Sequence, residues 1–285
     1  MTKQENYLEL QVIFNKENYD AIYNTLYMSG IDNILEEDSC IKIYYTQKKK
    51  KDADDLVMHL KKEIGLKNGN LILNNLDSKN WNQEWEDSIE PIYLKNKIII
   101  YPSWKKDKLI NPKDKILIEI DPKMSFGTGH NETTQLVMDF LIDEIDEEDK
   151  YLLDYGCGTG ILTISAIKLG IEKAVSIDID DDSIDNAKEY FKVNDVSKKV
   201  NLIKGNIAQI KESGFDIICA NIIRSVIEEN LGSIYDKLKK GGKLLISGVL
   251  SEEEEKFRNL LESNGFEIKQ INYRSEWLGI YASKR

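Results

Sequence analysis

The residues whose types and spacing suit chemistry lie in the stretch Asp154-Tyr155-Gly156-Cys157-Gly158-Thr159-Gly160 and at Asp178 and Asn221. The glycines permit a tight turn and let a ligand approach the backbone closely. A plain GxGxxG turn is a weak signal. Here the pattern is GxGxG, with an acid two positions before the first glycine. A carboxylate there repels a pyrophosphate and can hold an ammonium group, directly or through water, so Asp154, Gly156 and Gly158 predict a nucleoside carrying an amino-acid tail. Asp178 follows Gly156 by 22 residues, the placement from which an acid at the end of the next strand accepts hydrogen bonds from both ribose hydroxyls. Dinucleotide-binding folds share that acid, so by itself it separates little. Gly205, Asn206 and Ile207, after a third strand, can flank an adenine. Asn221 closes a fourth strand, where its amide can orient a target nitrogen without adding charge; the competing structural role is a helix N-cap.

These residues need a scaffold that brings strand ends together. From residue 97 the apolar pattern alternates strand and helix: strands at 97–101, 116–120, 151–155, 173–179, 200–204, 215–220 and 243–248, with helices at 133–145, 160–169, 182–193, 224–239 and 252–264. Such alternation predicts a mainly parallel sheet covered on both faces. The end reads as two strands, 266–274 and 276–284, so one strand is expected to insert antiparallel. The fold class is therefore α/β, a doubly wound, mainly parallel seven-stranded sheet of the methyltransferase type. The first 76 residues read instead as β-α-β-β-α-β, a ferredoxin-like α+β domain: strand 7–14, helix 16–29, a hairpin in 34–46, helix 50–65 and a strand in 69–74. Residues 77–95 are expected to link it to a catalytic domain over 96–285, with Trp81 and Trp85 on one face of a linker helix. Lys48 to Lys51 read as a solvated turn.

Composition narrows the class. The 41% apolar and 31% charged content suits a globular chain, and no apolar run is long enough to cross a bilayer. The N-terminus lacks the apolar block of a signal peptide, and three scattered cysteines make neither a disulfide framework nor a metal site. A cytoplasmic location is the expectation, with no metal and no membrane partner. A net charge of −11 argues against direct nucleic-acid binding but not against a basic protein partner.

Four segments carry a family resemblance: Asn80-Trp81-Asn82-Gln83-Glu84-Trp85, Tyr101-Pro102-Ser103-Trp104, Asp121 to Gly129 continuing to Thr133-Thr134, and Ala220-Asn221-Ile222. Together they resemble PrmA, the ribosomal protein methyltransferase family that methylates amino groups on protein eleven of the large ribosomal subunit. The likeness is strong over residues 77–284 and rests more on position and fold before that. It implies S-adenosyl-L-methionine as cofactor and a large-subunit ribosomal protein as partner, modified on lysine side chains and the N-terminus. It also implies that Thr134, Gly156, Asp178 and Asn221 contact or frame the cofactor, that Phe126 covers it from the 126–129 loop, and that the N-terminal domain presents the substrate, with 77–95 as a hinge. The oligomeric state is left open, a monomer included. One departure stands out: Asn131 occupies a position where the family usually has histidine, with His130 beside it. Competing readings are a methyltransferase of another protein or a small molecule, a NAD-dependent oxidoreductase, and a non-catalytic ribosome-associated protein.

Overall fold

The computed structural model describes residues 7–285 apart from 30, 32, 33, 38, 47, 48, 77–87 and 123–126. The paired tryptophans, the start of the lysine run and Phe126 lie outside the described residues. The chain divides into two compact units, residues 1–89 and 90–285.

In the first unit, β1 (Tyr7–Ile13), β2 (Ile34–Glu37), β3 (Cys40–Thr46) and β4 (Leu71–Leu76) form an antiparallel sheet in the order β2-β3-β1-β4. Helices α1 (Tyr19–Met28) and α2 (Lys50–Ile64) join these strands in the β-α-β-β-α-β order. Alternate residues Leu8, Leu10 and Val12, and Ile41, Ile43 and Tyr45, face a core shared with Ile22, Leu26, Leu56 and Leu60 of the helices. The opposite strand face carries Glu9, whose carboxylate accepts hydrogen bonds from Gln11, Tyr44 and Asn74.

The second unit opens with a small sheet, β5 (Ile92–Leu94), β6 (Ile98–Tyr101) and β7 (Ile116–Glu119). Strand β5 was not anticipated. It is three residues long, too short to show alternation, and it turns back on β6 through Lys95 and Asn96, both at positive φ. Leu94 is buried in the core of this unit, so residues 90–95 pack with the catalytic domain. Next come α3 (Glu132–Glu144), β8 (Tyr151–Tyr155), α4 (Ile161–Leu169), β9 (Lys173–Asp178), α5 (Asp181–Val193), β10 (Val200–Lys204), β11 (Phe215–Asn221), α6 (Arg224–Lys237), β12 (Leu238–Leu250), α7 (Glu254–Ser263), β13 (Phe266–Arg274) and β14 (Trp277–Lys284).

The large sheet has the order β10-β9-β8-β11-β12-β14-β13. Strands β8 to β12 are parallel, and β14 inserts antiparallel between β12 and β13, as the terminal strand pair predicts. The two sheet faces bury separate cores. Leu152, Ala174, Ile217, Cys219 and Leu245 pack under α3, α4 and α5. Their neighbours Leu153, Val175, Ile218, Leu244 and Ile246 pack under α6 and α7. Burial on both faces is why β11 is apolar from Ile217 to Ala220, while Asp216 near its start accepts from Lys150 N and Tyr151 N and pairs with Lys239. Strand order reverses beside β8, between β9 and β11. The carboxyl ends of β8, β9 and β11 therefore flank a crevice. Among the described residues, no helix is long and apolar enough to cross a membrane.

Candidate active site

A cleft of about 700 Å³ opens at those strand ends, within the range of about 300–1,000 Å³ usual for small-molecule sites. Its walls include Gly156, Gly158, Asp178, Gly205 and Asn221, together with His130, Asn131, Glu132 and Thr133 from the start of α3. Ile179, Ile222, Ile223, Val226, Gly248 and Trp277 also line it.

The glycine turn is held by its neighbour strand. The N–H groups of Gly156 and Cys157 both donate to the Ile177 carbonyl, at 2.9 and 3.0 Å. Gly156 has φ +77, and a Cβ there would lie 2.1 Å from Ile222 Cγ2. Gly248 in β12 has φ +89, and a Cβ there would lie 2.3 Å from the Ile222 carbonyl oxygen. Both glycines thus let the chain leaving β11 pass against the turn. Gly248 escaped sequence reading, although a lone glycine inside a strand pattern is a recognisable sign of close backbone approach or a bulge. The β12–β14 register does shift between Ile246 and Val249.

Asp178 ends β9. One carboxylate oxygen accepts from Gly158 N at 2.8 Å and the other from Asp180 N at 3.1 Å. Each oxygen keeps a lone pair in the cleft for a further donor. Asp180 caps α5 by accepting from Ser183 N, which leaves Asp178 to the cleft.

Asn221 shares the sheet face of Ile217 and Cys219, which turns it toward α3. Its Nδ2 donates to Thr134 Oγ1 at 3.1 Å, so its carbonyl oxygen is the end that can accept from a ligand. The N-cap of α6 is Ile223, not Asn221, so the structure assigns Asn221 no capping role. Thr134 is fully buried and reaches the cleft through Asn221.

The remaining expected residues stand off the wall. Asp154 shares the α4 face of β8, because Leu153 and Tyr155 face the other core. It is 0% exposed, and one oxygen accepts from Thr163 Oγ1 at 2.7 Å and Thr163 N at 3.2 Å. The other oxygen is buried without a hydrogen-bond partner. Burial, opposed by the Thr163 bonds and reinforced by Asp178, pushes its carboxyl up to about 6. Asp154 thus lies beneath the glycine turn and is not part of the cleft wall. Asn206 accepts from Ala208 N at 3.1 Å and its own N–H donates to Gln209 at 2.8 Å, a capping box, while Gly205 supplies the wall. Ile207 is buried in the core. Cys157 is buried, and burial, with Asp154 and Asp178 nearby, holds its thiol well above the usual range, which does not suit a nucleophile. Trp277 reaches the cleft because β14 inserts beside β12; the terminal strand pair predicts that insertion but not which of its residues meets the cleft.

The walls suit a nucleoside with a cationic centre. Asp178 and Glu132 place carboxylates in the wall, and among the described residues no lysine or arginine lines the cleft to meet a pyrophosphate. Aliphatic Ile179 and Ile223, 73% and 72% exposed, offer flat apolar cover.

Comparison with known proteins settles the family. A family model described as "Ribosomal protein L11 methyltransferase (PrmA)" matches residues 6–285. The chain belongs to the PrmA family. A ribosomal protein L11 methyltransferase of Thermoanaerobacter pseudethanolicus is 30% identical across 97% of this chain and 88% of that protein. One of Staphylococcus haemolyticus is 32% identical across 72% of this chain and 65% of its own. The crystal structure of a ribosomal protein L11 methylase from Lactobacillus delbrueckii subsp. bulgaricus matches 69% of this chain and all of its own, with a TM-score of 0.64 and 29% identity. Membership in the PrmA family agrees with the methyltransferase sheet order and with the resemblance carried by the Asp121–Gly129 and Ala220–Ile222 segments. The cap at the family's usual histidine position is Asn131, whose side chain makes no capping bond to α3, while His130 joins the cleft wall.

Proposed function

We propose that this chain is an S-adenosylmethionine-dependent protein N-methyltransferase acting on amino groups of ribosomal protein L11, its lysine side chains and its N-terminus. The observation carrying the reading is the convergence of Asp178 and Asn221 on one cleft, in a chain of the PrmA family. Bound there, S-adenosylmethionine supplies an electrophilic methyl group on sulfur. Asp178 accepts from the ribose hydroxyls, with its orientation fixed by Gly158 and Asp180. Gly156, Gly158 and Gly205 let the ligand lie close to the backbone. Asn221, oriented by Thr134, accepts an N–H of the neutral substrate amine and so aims its lone pair. A lysine must lose its proton first, since its reference pKa is about 10.4, and solvent can take that proton. The protein's contribution is then position and electrostatics rather than acid-base chemistry. Asp154 acts from beneath the turn, where it braces the α4 N-terminus. The N-terminal unit, with its own core, recognises the protein substrate.

The test is incubation of the full chain with labelled cofactor and unmethylated ribosomal proteins, followed by intact-mass analysis. Mass gains in steps of one methyl on the L11 protein are the expected result. Label on another protein or on a small molecule would replace the target, and no cofactor binding would overturn the reading.

A further inference from the structure

The turn between β13 and β14 is tied to one stripe of α3, at Glu132, Gln135 and Asp139, positions that share a helix face. Ser275 Oγ donates to Glu132 Oε1 at 3.3 Å. Arg274 donates to Asp139 Oδ2 at 2.9 Å and, from its other terminal nitrogen, to the Gln135 side-chain oxygen. The Gln135 Nε2 group then donates to the carbonyls of Gly129 and His130, at 3.0 and 3.3 Å. Upstream, Thr159 Oγ1 from the glycine turn donates to the Gly127 carbonyl at 2.6 Å. Gly129, at φ +90, sits where a Cβ would come within 2.8 Å of Ile100 Cδ1. The backbone of residues 127–130 is therefore held on the glycine-turn side by Thr159 and on the helix side by Gln135.

We propose that Arg274 and Gln135 are positioning residues that set cofactor affinity without touching the cofactor. Neither lines the cleft, whereas His130, whose carbonyl Gln135 holds, and Asn131 after it both do. A glutamine amide has a donor end and an acceptor end of nearly the same shape, so packing alone does not choose between two orientations. The Arg274 guanidinium, donating to the oxygen, selects the orientation that presents both N–H groups to the loop. Asp139, with 9% of its side chain exposed, holds the guanidinium in place. Without Arg274 the amide is free to turn over and the two carbonyls lose their donor. This role rests on the cofactor reading of the cleft.

Gln135→Glu separates positioning from stability. The carboxylate keeps a partner for Arg274 but offers no donor to the Gly129 and His130 carbonyls. Full-length wild type, Gln135→Glu, Arg274→Met and the double variant are titrated calorimetrically with S-adenosylmethionine. Amide hydrogen exchange of residues 127–131 is followed in the free proteins, beside thermal melts. Each single change is expected to weaken binding about tenfold, from the loss of charge-assisted or paired hydrogen bonds. The double variant should be no weaker than the weaker single, because the two act in series. Exchange at 127–131 should quicken in both, while Gln135→Glu melts as wild type does. Wild-type affinity in Gln135→Glu, unchanged exchange in the loop, or losses that multiply in the double variant would each overturn the proposal. Failure of the wild type to bind the cofactor would instead sink the cofactor reading. The exchange arm would then decide the coupling of Arg274 to the loop alone.

Discussion

Replacing Asp178 by asparagine changes one atom's chemistry at the end of β9, where the carboxylate meets the glycine turn. The carboxylate now satisfies two backbone donors, Gly158 N at 2.8 Å and Asp180 N at 3.1 Å, one on each oxygen. An amide has a single oxygen, so its NH2 end must face one of those N–H groups, donor against donor. At least one bond to a charged acceptor is lost, worth about 1.5–3 kcal/mol net, and the acceptors offered to the ribose hydroxyls weaken with it. The expected loss of S-adenosylmethionine affinity is about 10- to 100-fold, or about 1.4–2.7 kcal/mol. Calorimetric titration measures it, and a denaturant melt records any separate loss of stability from the turn. Distortion of the turn and loss of the ribose contact are distinguished with a cofactor analogue lacking the ribose 2′-hydroxyl. Wild type should bind the analogue more weakly than the parent, and the variant should discriminate much less. A folded variant with normal affinity, or one that loses as much as wild type on removing the hydroxyl, would refute the ribose assignment.

Three further outcomes are expected. Asn221→Ala should slow single-turnover methyl transfer on the order of 100-fold through lost positioning while changing cofactor affinity less; because Ile223 rather than Asn221 caps α6, a normal rate with reduced stability would remove Asn221 from the catalytic set. Asp154 has its carboxyl pushed from 3.8 up to about 6 by burial, so the native state holds that proton more tightly than the unfolded chain. Its contribution to stability is then greatest below about pH 4 and falls by about 3 kcal/mol as pH rises through 6. Asp154→Asn should lack this slope, and parallel urea-stability curves for the two proteins from pH 4 to 7 would contradict it. A chain spanning residues 90–285 should bind the cofactor as the full chain does, since every described wall of the cleft falls between 130 and 277, yet methylate the intact ribosomal protein poorly; undiminished transfer by that fragment would refute substrate recognition by the N-terminal unit.

The order of elements was legible because it rests on local pattern. Apolar runs such as 217–220 mark strands buried on both faces, and Asp180 before Ser183 marks a helix start. The glycine turn and Asp178 were legible for a related reason: a tight turn needs positive φ, and the acid at the next strand end is a fixed distance along the chain. Strand β5 was not, since three residues show no period. The longer β12, Leu238–Leu250 where 243–248 was expected, begins straight after α6 because it pairs with Phe215 at one end and bends at Gly248 near the other.

The side chosen by each side chain, and what it meets there, belonged to the tertiary structure. Asp154 reads as a ligand-facing acid, yet strand alternation combined with α4 packing puts its carboxylate on Thr163 beneath the turn. Asn221 reads as a site residue with a helix cap as the competing role, and the structure starts α6 three residues later and gives its amide to Thr134. Gln135, Arg274 and Trp277 carry no local signature at all. Their places depend on β14 entering the sheet between β12 and β13, which brings a turn near the C-terminus against the start of α3. Sequence alone determined which residues could bind a nucleoside and in which order the strands present them, because period and turn chemistry are local. Which of those residues reach the cleft, and which hold others there, was decided by contacts between segments far apart in the chain, and no local pattern encodes such contacts.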